Sequence, residues 1–248
     1  IFATGDTDFP EGALGRQRPH MRVMHKSDIE QMTEWFAAAA VRARTAGFDG
    51  IELHAAHTYI LAGFLSPYYN QRTDEYGGPL ENRARLLVET IRAVKQRVGA
   101  DFPLWVRLDG EELRTPGGIT IDDAVATAKL AAAAGADAIS VSAYATITDG
   151  SAFTEAPLVH QPGGLVGYAT AIKKESPVPV IAAGRISPEM AETGIERGQF
   201  DFVAMGRKLL ADPELPNKLA QGRRAEVRPC IYCYVCVSQI FINQRVKC

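Results

Sequence analysis

The chain has 248 residues, a formal net charge of −2 and 46% hydrophobic residues, which is enough for one large folded unit with a sizeable core. Charge is evenly spread, with no basic stripe or block of like charges, so nucleic acid and anionic membranes are excluded as expected partners. No apolar run reaches transmembrane length and no secretory signal is visible, so a cytoplasmic location without a membrane partner is expected.

The chain opens on Ile1 rather than Met, which reads as a fragment or processed product. Residues 1–26 are rich in Gly, Pro and charge without sustained periodicity, and read as loop. Ser27-Asp28-Ile29-Glu30 has the pattern of a capping box, with Ser27 as N-cap and Glu30 at N3. Ile29, Met32, Phe36 and Ala40 follow at helical spacing, predicting an amphipathic helix over 28–45 with Gly47 just past its end. Residues 50–54 form the first clear strand. The next helix starts near Pro79, shows Leu87, Ile91, Val94 and Val98 on one face, and ends at Gly99. Strand 103–108 follows, and Thr120 with Asp123 caps an Ala-rich helix that ends at Ala134-Gly135. After strand 138–142 a long loop carries Tyr144, Thr148, Asp149 and His160. A helix at about 164–175 leads to a strand at 178–184, and one at about 188–198 leads to a strand at 200–206.

Helices close and strands open on one recurring punctuation. It is seen at Ala46-Gly47-Phe48-Asp49, Ala134-Gly135-Ala136-Asp137 and Arg197-Gly198-Gln199-Phe200-Asp201. Strands alternating with helices through short Gly-containing turns mean an α/β protein with a parallel sheet. No Gly-rich dinucleotide fingerprint follows any strand, which disfavours an open doubly wound sheet. Five strands are convincing, where a closed (β/α)8 barrel has eight.

Chemistry gathers at strand ends. His54, His57 and Tyr59 arrive together as strand 50–54 finishes, and in a parallel barrel that end carries the active site. The pleat lets His54 point inward while the following turn presents His57 and Tyr59; the bland alternative is ordinary hydrogen-bonded loop residues. Arg107 lies inside an apolar strand and needs a partner. Either it forms a structural ion pair with Asp109 or Glu111, or it places a cation beside an electron-rich cofactor. Gly184-Arg185 and Gly206-Arg207 end the last two strands, where barrels often bind phosphate. Glycine permits close backbone approach and arginine offers a bidentate fork; the alternative is two solvated side chains. All four cysteines, Cys230, Cys233, Cys236 and Cys248, lie in the last stretch, which points to a metal rather than a disulfide scaffold. Their C-x2-C-x2-C spacing with a distant fourth fits a ferredoxin-type [4Fe–4S] site better than zinc, whose structural sites usually come as two separated pairs.

The run His54-Ala55-Ala56-His57-Thr58-Tyr59, then Phe64-Leu65-Ser66-Pro67, then Asn70 to Arg83 (NQRTDEYGGPLENR), resembles the old yellow enzyme family of FMN-dependent oxidoreductases over nearly the whole chain. With the cysteine tail, it resembles the branch holding 2,4-dienoyl-CoA reductase and trimethylamine dehydrogenase. The resemblance implies a (β/α)8 TIM barrel of which this chain holds roughly the last five β/α units, the first three strands preceding Ile1. Residues 1–222 would be the C-terminal part of the FMN-binding barrel and 223–248 the iron–sulfur tail. A downstream FAD- and NAD(P)H-binding domain would be absent. His54 and His57 then match the pair that hydrogen-bonds a substrate carbonyl oxygen, and Tyr59 the proton donor. Arg107 matches the residue beside the flavin, and Gly184, Arg185, Gly206 and Arg207 the FMN phosphate site. The cysteines match the ligands of a [4Fe–4S] cluster that relays electrons.

The implied activity is reduction of an activated C=C bond, of enoyl- or dienoyl-CoA or enone type, in a small molecule, with electrons from NAD(P)H. Amine-oxidising relatives usually carry Tyr where this chain has His54, yet amine (C–N) oxidation on the same scaffold remains an alternative. Another is a non-redox phosphate-binding barrel with a zinc tail, and a third is an inert fragment. His160 stands too far along to be assigned a role. A homo-oligomer is the one protein partner left open.

Overall fold

The computed structural model describes residues 2–3, 22–145 and 161–248. Thr148, Asp149 and His160, and most of the segment read as N-terminal loop, lie outside the described residues. Within that segment, β1 (Phe2–Ala3) and β2 (Arg22–Val23) pair in parallel. Strands of two residues carry no periodicity, so the loop reading is corrected there. Helix α1 spans Lys26–Thr45. Its N-cap is His25 rather than Ser27: the Asp28 carboxylate at N3 accepts from the His25 N–H at 2.8 Å. Arg22 holds that carboxylate through both oxygens, at 2.6 and 2.7 Å, which selects Asp28 over Glu30 for the box.

β3 (Ile51–Ala55) is followed by three helices, α2 (Ile60–Leu65), α3 (Leu80–Arg83) and α4 (Arg85–Val98). β4 (Leu104–Leu113), α5 (Ile121–Ala134) and β5 (Ala138–Ala145) come next. Then follow α6 (Val166–Glu175), β6 (Val180–Ala182), α7 (Pro188–Glu196) and β7 (Phe202–Val203). Helices α8 (Gly206–Ala211), α9 (Leu215–Ala220) and α10 (Val235–Phe241) complete the described chain. The strands β3 to β7 form one parallel sheet in sequence order. Gly47, Gly135 and Gly198 take positive φ at the recurring turn, where a Cβ would be strained.

The pleat divides the sheet chemically. Leu53, Leu104, Val106, Leu108, Ile139, Val141, Val180 and Ala182 are fully buried. They pack with Ile29, Leu87, Ile91, Val94, Ala128 and Ile172 from the helices into one core. The alternate positions Glu52, His54, Trp105, Arg107, Asp109, Ser140 and Ser142 occupy the other face. β4 runs beyond the expected end at 108, through acidic Asp109 to Glu112, with a register shift between those two. Glu112 is tolerated there because its carboxylate accepts from the Ser66 hydroxyl at 2.6 Å and the Ile119 N–H at 2.8 Å. Among the described residues no helix is long and apolar enough to cross a membrane.

Helix α5 begins on a complete box. The Thr120 hydroxyl accepts from the Asp123 N–H at 3.2 Å, and Asp123 accepts from the Thr120 N–H at 3.1 Å. Thr120→Ala therefore lowers unfolding free energy by about 1 kcal/mol and Thr120→Ser by only a few tenths, read from urea denaturation midpoints.

Candidate functional site

The end of β3 is built around two consecutive left-handed residues, His57 (φ 61°) and Thr58 (φ 56°). Neither is glycine, so the turn is strained by roughly 1–3 kcal/mol per residue. What holds it is Asp109 on β4: its Oδ2 accepts from the His57 backbone N–H at 2.6 Å. The turn brings the predicted residues together. The His54 ring lies 4.8 Å from the His57 ring and 5.0 Å from Tyr59. Tyr59 is 63% exposed, so its phenol is open to a ligand. His57 Nε2 is 2.8 Å from the Ser142 hydroxyl on β5, and its ring is 6.0 Å from Tyr144.

Arg107 stands opposite His54 in the β3–β4 register and opposite Ser140 in the β4–β5 register. Its ion-pair partner is Glu52 at 3.0 Å, so the pairing with Asp109 or Glu111 read from the sequence is corrected. The parallel pairing decides this: Glu52 lies one residue pair away on the same face and also accepts from the Trp105 indole N–H at 2.8 Å. Glu111, inside the register shift, instead accepts from the Tyr168 hydroxyl at 2.6 Å.

These surroundings set the charges. Burial, then the neighbouring His54 and Arg107, push His57 down to about 3. Burial and Arg107 also lower His54, against the pull of Glu52. Both imidazoles are neutral at pH 7, each with one N–H donor. Burial pushes Asp109 up to about 8, aided by Glu112 and opposed by the His57 N–H and Arg107. Its second oxygen makes no hydrogen bond and lies 3.8 Å from His57 Nε2. A cavity of about 10 Å³ bordered by Leu65, Leu108, Asp109 and Ile119 adjoins it, near the least space that holds one water.

Gly184-Arg185 and Gly206-Arg207 follow β6 and β7. Gly184 has φ 100°, and a Cβ there would meet Leu165 at 3.0 Å; at Gly206 nothing lies within 4 Å of where a Cβ would stand. The two arginines meet at one aromatic ring, Tyr232 of the cysteine loop, at 4.5 and 5.2 Å. The cysteines themselves are all free. Among the described residues no three His, Cys, Asp or Glu side chains converge in metal-ligand geometry.

Two observations fit a flavin phosphate ester and ring on this sheet. The space beside Gly206 is open to an anion, and the buried Ser140 hydroxyl next to Arg107 has no hydrogen-bond partner. For the tail, four thiols are the donor set that an iron–sulfur cluster requires.

Sequence reasoning missed Glu52, Ser142, Tyr232 and Tyr234 as parts of these arrangements and named Asp109 only as a possible partner of Arg107. The period-two row Trp105, Arg107, Asp109 beside Glu52 and His54 was the available signal for the strand residues. Nothing local marks the tyrosines.

The family model of the NADH:flavin oxidoreductase / NADH oxidase family matches residues 3–226. An NADH oxidase of Thermoanaerobacter brockii is 41% identical over 247 residues, 96% of this chain and 36% of that protein. A 2-naphthoyl-CoA reductase solved with 2-naphthoyl-CoA superposes with TM-score 0.86 at 32% identity, covering 92% of this chain and 34% of that one. Histamine dehydrogenase from Rhizobium sp. 4-9 superposes with TM-score 0.87 at 30% identity, covering 100% and 35%. This chain thus spans about a third of the length of these relatives. The five parallel β/α units are part of the α/β barrel architecture of these neighbours.

An acid raised in the folded state keeps a proton that the unfolded chain has lost. The stability Asp109 contributes is whole below about pH 4 and is lost as pH rises towards 8. Asp109→Asn removes that slope. Relative to wild type, the variant gains at least about 1 kcal/mol between pH 5 and pH 8.5, measured by urea unfolding at both values. A pH-independent difference would contradict the assignment.

Proposed function

The chain belongs to the NADH:flavin oxidoreductase / NADH oxidase family, and on that premise we propose that it is the site-bearing part of an FMN-dependent reductase of activated C=C bonds driven by NAD(P)H. The observation that carries this is the strand-end constellation: the neutral His54 ring lies 4.8 Å from the neutral His57 ring and 5.0 Å from the exposed Tyr59 phenol, beside a cation in register. The substrate class is a small electron-poor alkene, of enoyl-CoA, dienoyl-CoA or enone type. The likeness to a 2-naphthoyl-CoA reductase supports an acyl-CoA.

Residues Arg107, Gly184, Arg185, Gly206 and Arg207 would hold FMN, and Cys230, Cys233, Cys236 and Cys248 a [4Fe–4S] cluster. When bound, the flavin supplies hydride and the cluster relays single electrons. The chain's own residues do the remainder. In this reading His57 Nε2 would accept from the Ser142 hydroxyl, its proton would sit on Nδ1, and that N–H with one from His54 would hold the substrate carbonyl oxygen. Two donors at that oxygen stabilise the negative charge that develops as the neighbouring alkene accepts hydride. Tyr59 gives its phenolic proton to the other alkene carbon. Arg107 would place a positive charge beside the bound cofactor. The division into a barrel part over 1–222 and a cysteine-rich tail over 223–248 belongs to this reading, as do a cytoplasmic location and a further FAD- and NAD(P)H-binding unit in the parent protein.

Amine oxidation is the second reading, favoured by the likeness to histamine dehydrogenase. Membership of a flavin oxidoreductase family displaces the non-redox reading of the barrel. The two flavin readings separate in single-turnover experiments on the parent protein. An activated alkene reoxidises the reduced flavin if the first holds, whereas an amine reduces the oxidised flavin if the second does. Tyr59→Phe should cut alkene reduction by about a hundredfold or more while NAD(P)H still reduces the flavin at the wild-type rate. Equal loss of both half-reactions would remove Tyr59 from the proton-donor role.

A further inference from the structure

The two oxygens of the buried Asp109 carboxyl are placed differently. Oδ2 accepts from the His57 backbone N–H at 2.6 Å. Oδ1 makes no hydrogen bond and stands 3.8 Å from Nε2 of the His57 ring, too far for a hydrogen bond but close enough for its charge to act. Asp109 is also the register partner of Ser142 on β5, whose hydroxyl lies 2.8 Å from the same Nε2. One imidazole nitrogen therefore faces a carboxyl oxygen and a hydroxyl together.

What these neighbours ask of Nε2 depends on one proton. Oδ2 is committed as an acceptor, so a proton on Asp109 sits on Oδ1. Nε2 then faces an O–H and a hydroxyl that can turn to donate, and a nitrogen that meets donors is the bare one; the ring hydrogen goes to Nδ1. Without the proton, Oδ1 is a buried acceptor with negative charge, and the ring hydrogen is drawn to Nε2. Asp109 loses one proton to solvent, while the imidazole releases the hydrogen on Nδ1 and takes one on Nε2, so the pair loses a single proton in all. The change needs no net charge on the imidazole, which burial disfavours.

We propose that Asp109 is a positioning residue that selects the tautomer of His57: protonated, it leaves the ring hydrogen on Nδ1, and ionised, it moves that hydrogen to Nε2. Burial keeps the proton on Asp109 up to about pH 8. The groups facing the carboxyl that can bear charge are His57 from the turn after β3, Arg107 and Glu112 from β4 itself, and Asp123 from α5, beside the same small cavity. β5 adds the Ser142 hydroxyl and α2 the apolar Leu65. Arg107 is paired with Glu52 and Asp123 with Arg83, so Glu112 is the neighbour whose own ionisation has to be separated. The consequence for catalysis rests on the reading above, in which the Nδ1–H of His57 holds a substrate carbonyl oxygen. That donor is present while Asp109 is protonated and withdrawn when it ionises.

The experiment is a pH titration of the full chain, isotope-labelled at the histidine nitrogens. Two-bond proton–nitrogen correlation spectra tell a hydrogen-bearing ring nitrogen from a bare one, and His57→Gln identifies the His57 signals by their loss. Wild type should carry the hydrogen on Nδ1 at about pH 6 and on Nε2 at about pH 10. Asp109→Asn offers an N–H where the protonated oxygen stood and cannot ionise, so the hydrogen should stay on Nδ1 throughout. Glu112→Gln should retain the switch. A wild-type tautomer that does not change, a change that survives in Asp109→Asn, or one that vanishes in Glu112→Gln would overturn the inference. Should Asp109→Asn not fold, wild type and Glu112→Gln decide. In the parent protein with flavin bound, affinity for cyclohexenone, read from the flavin absorbance, should fall about tenfold over the same range and stay level in Asp109→Asn. A tautomer switch without that loss would overturn the carbonyl-holding role of His57 and leave the action of Asp109 on its ring intact.

Discussion

The hydrogen bond from the His57 backbone N–H to the buried Asp109 carboxyl, at 2.6 Å, joins the strained turn after β3 to the middle of β4. Without an acceptor there, two consecutive non-glycine residues in the left-handed region would relax, and the turn would no longer set His57 and Tyr59 beside His54. The same carboxyl is fully buried among apolar side chains, which favours its protonated form. One side chain therefore accounts for the geometry of the strand end and for a pH-dependent term in its stability.

Register extends this local constraint across the sheet. In a parallel sheet, residues paired across strands present their side chains to the same face, so Glu52, His54, Arg107, Asp109, Ser140 and Ser142 line one surface. The other surface is closed by helices over a continuous apolar core. The Arg107 charge is balanced within the row by Glu52, and burial, with a smaller contribution from that charge, lowers both histidines. A neutral imidazole pair beside a fixed cation is suited to hold a carbonyl oxygen without competing for the proton that Tyr59 would deliver.

The other end of the sheet uses aromatic rings in place of buried carboxyls. Arg185 and Arg207 come from turns 22 residues apart in sequence and converge on Tyr232. Charge alone would drive them apart, and the negative face of the ring offsets part of that repulsion.

By itself the sequence determined the alternation of helices and strands, the parallel sheet, and the strand-end residues His54, His57, Tyr59, Arg107, Arg185 and Arg207. Each of these follows from local spacing or from a motif of contiguous residues, which short-range sterics and burial read out directly. Only the tertiary structure decided the pairings. That Glu52 rather than Asp109 takes Arg107 depends on cross-strand register, and that Asp28 rather than Glu30 closes the first box depends on Arg22. That Asp109 serves a backbone 52 residues away, and that Tyr232 lies on two arginines, depends on contacts between segments far apart in the chain. Such contacts leave no periodic trace, because the energy that selects them arises only once the sheet has brought the segments together.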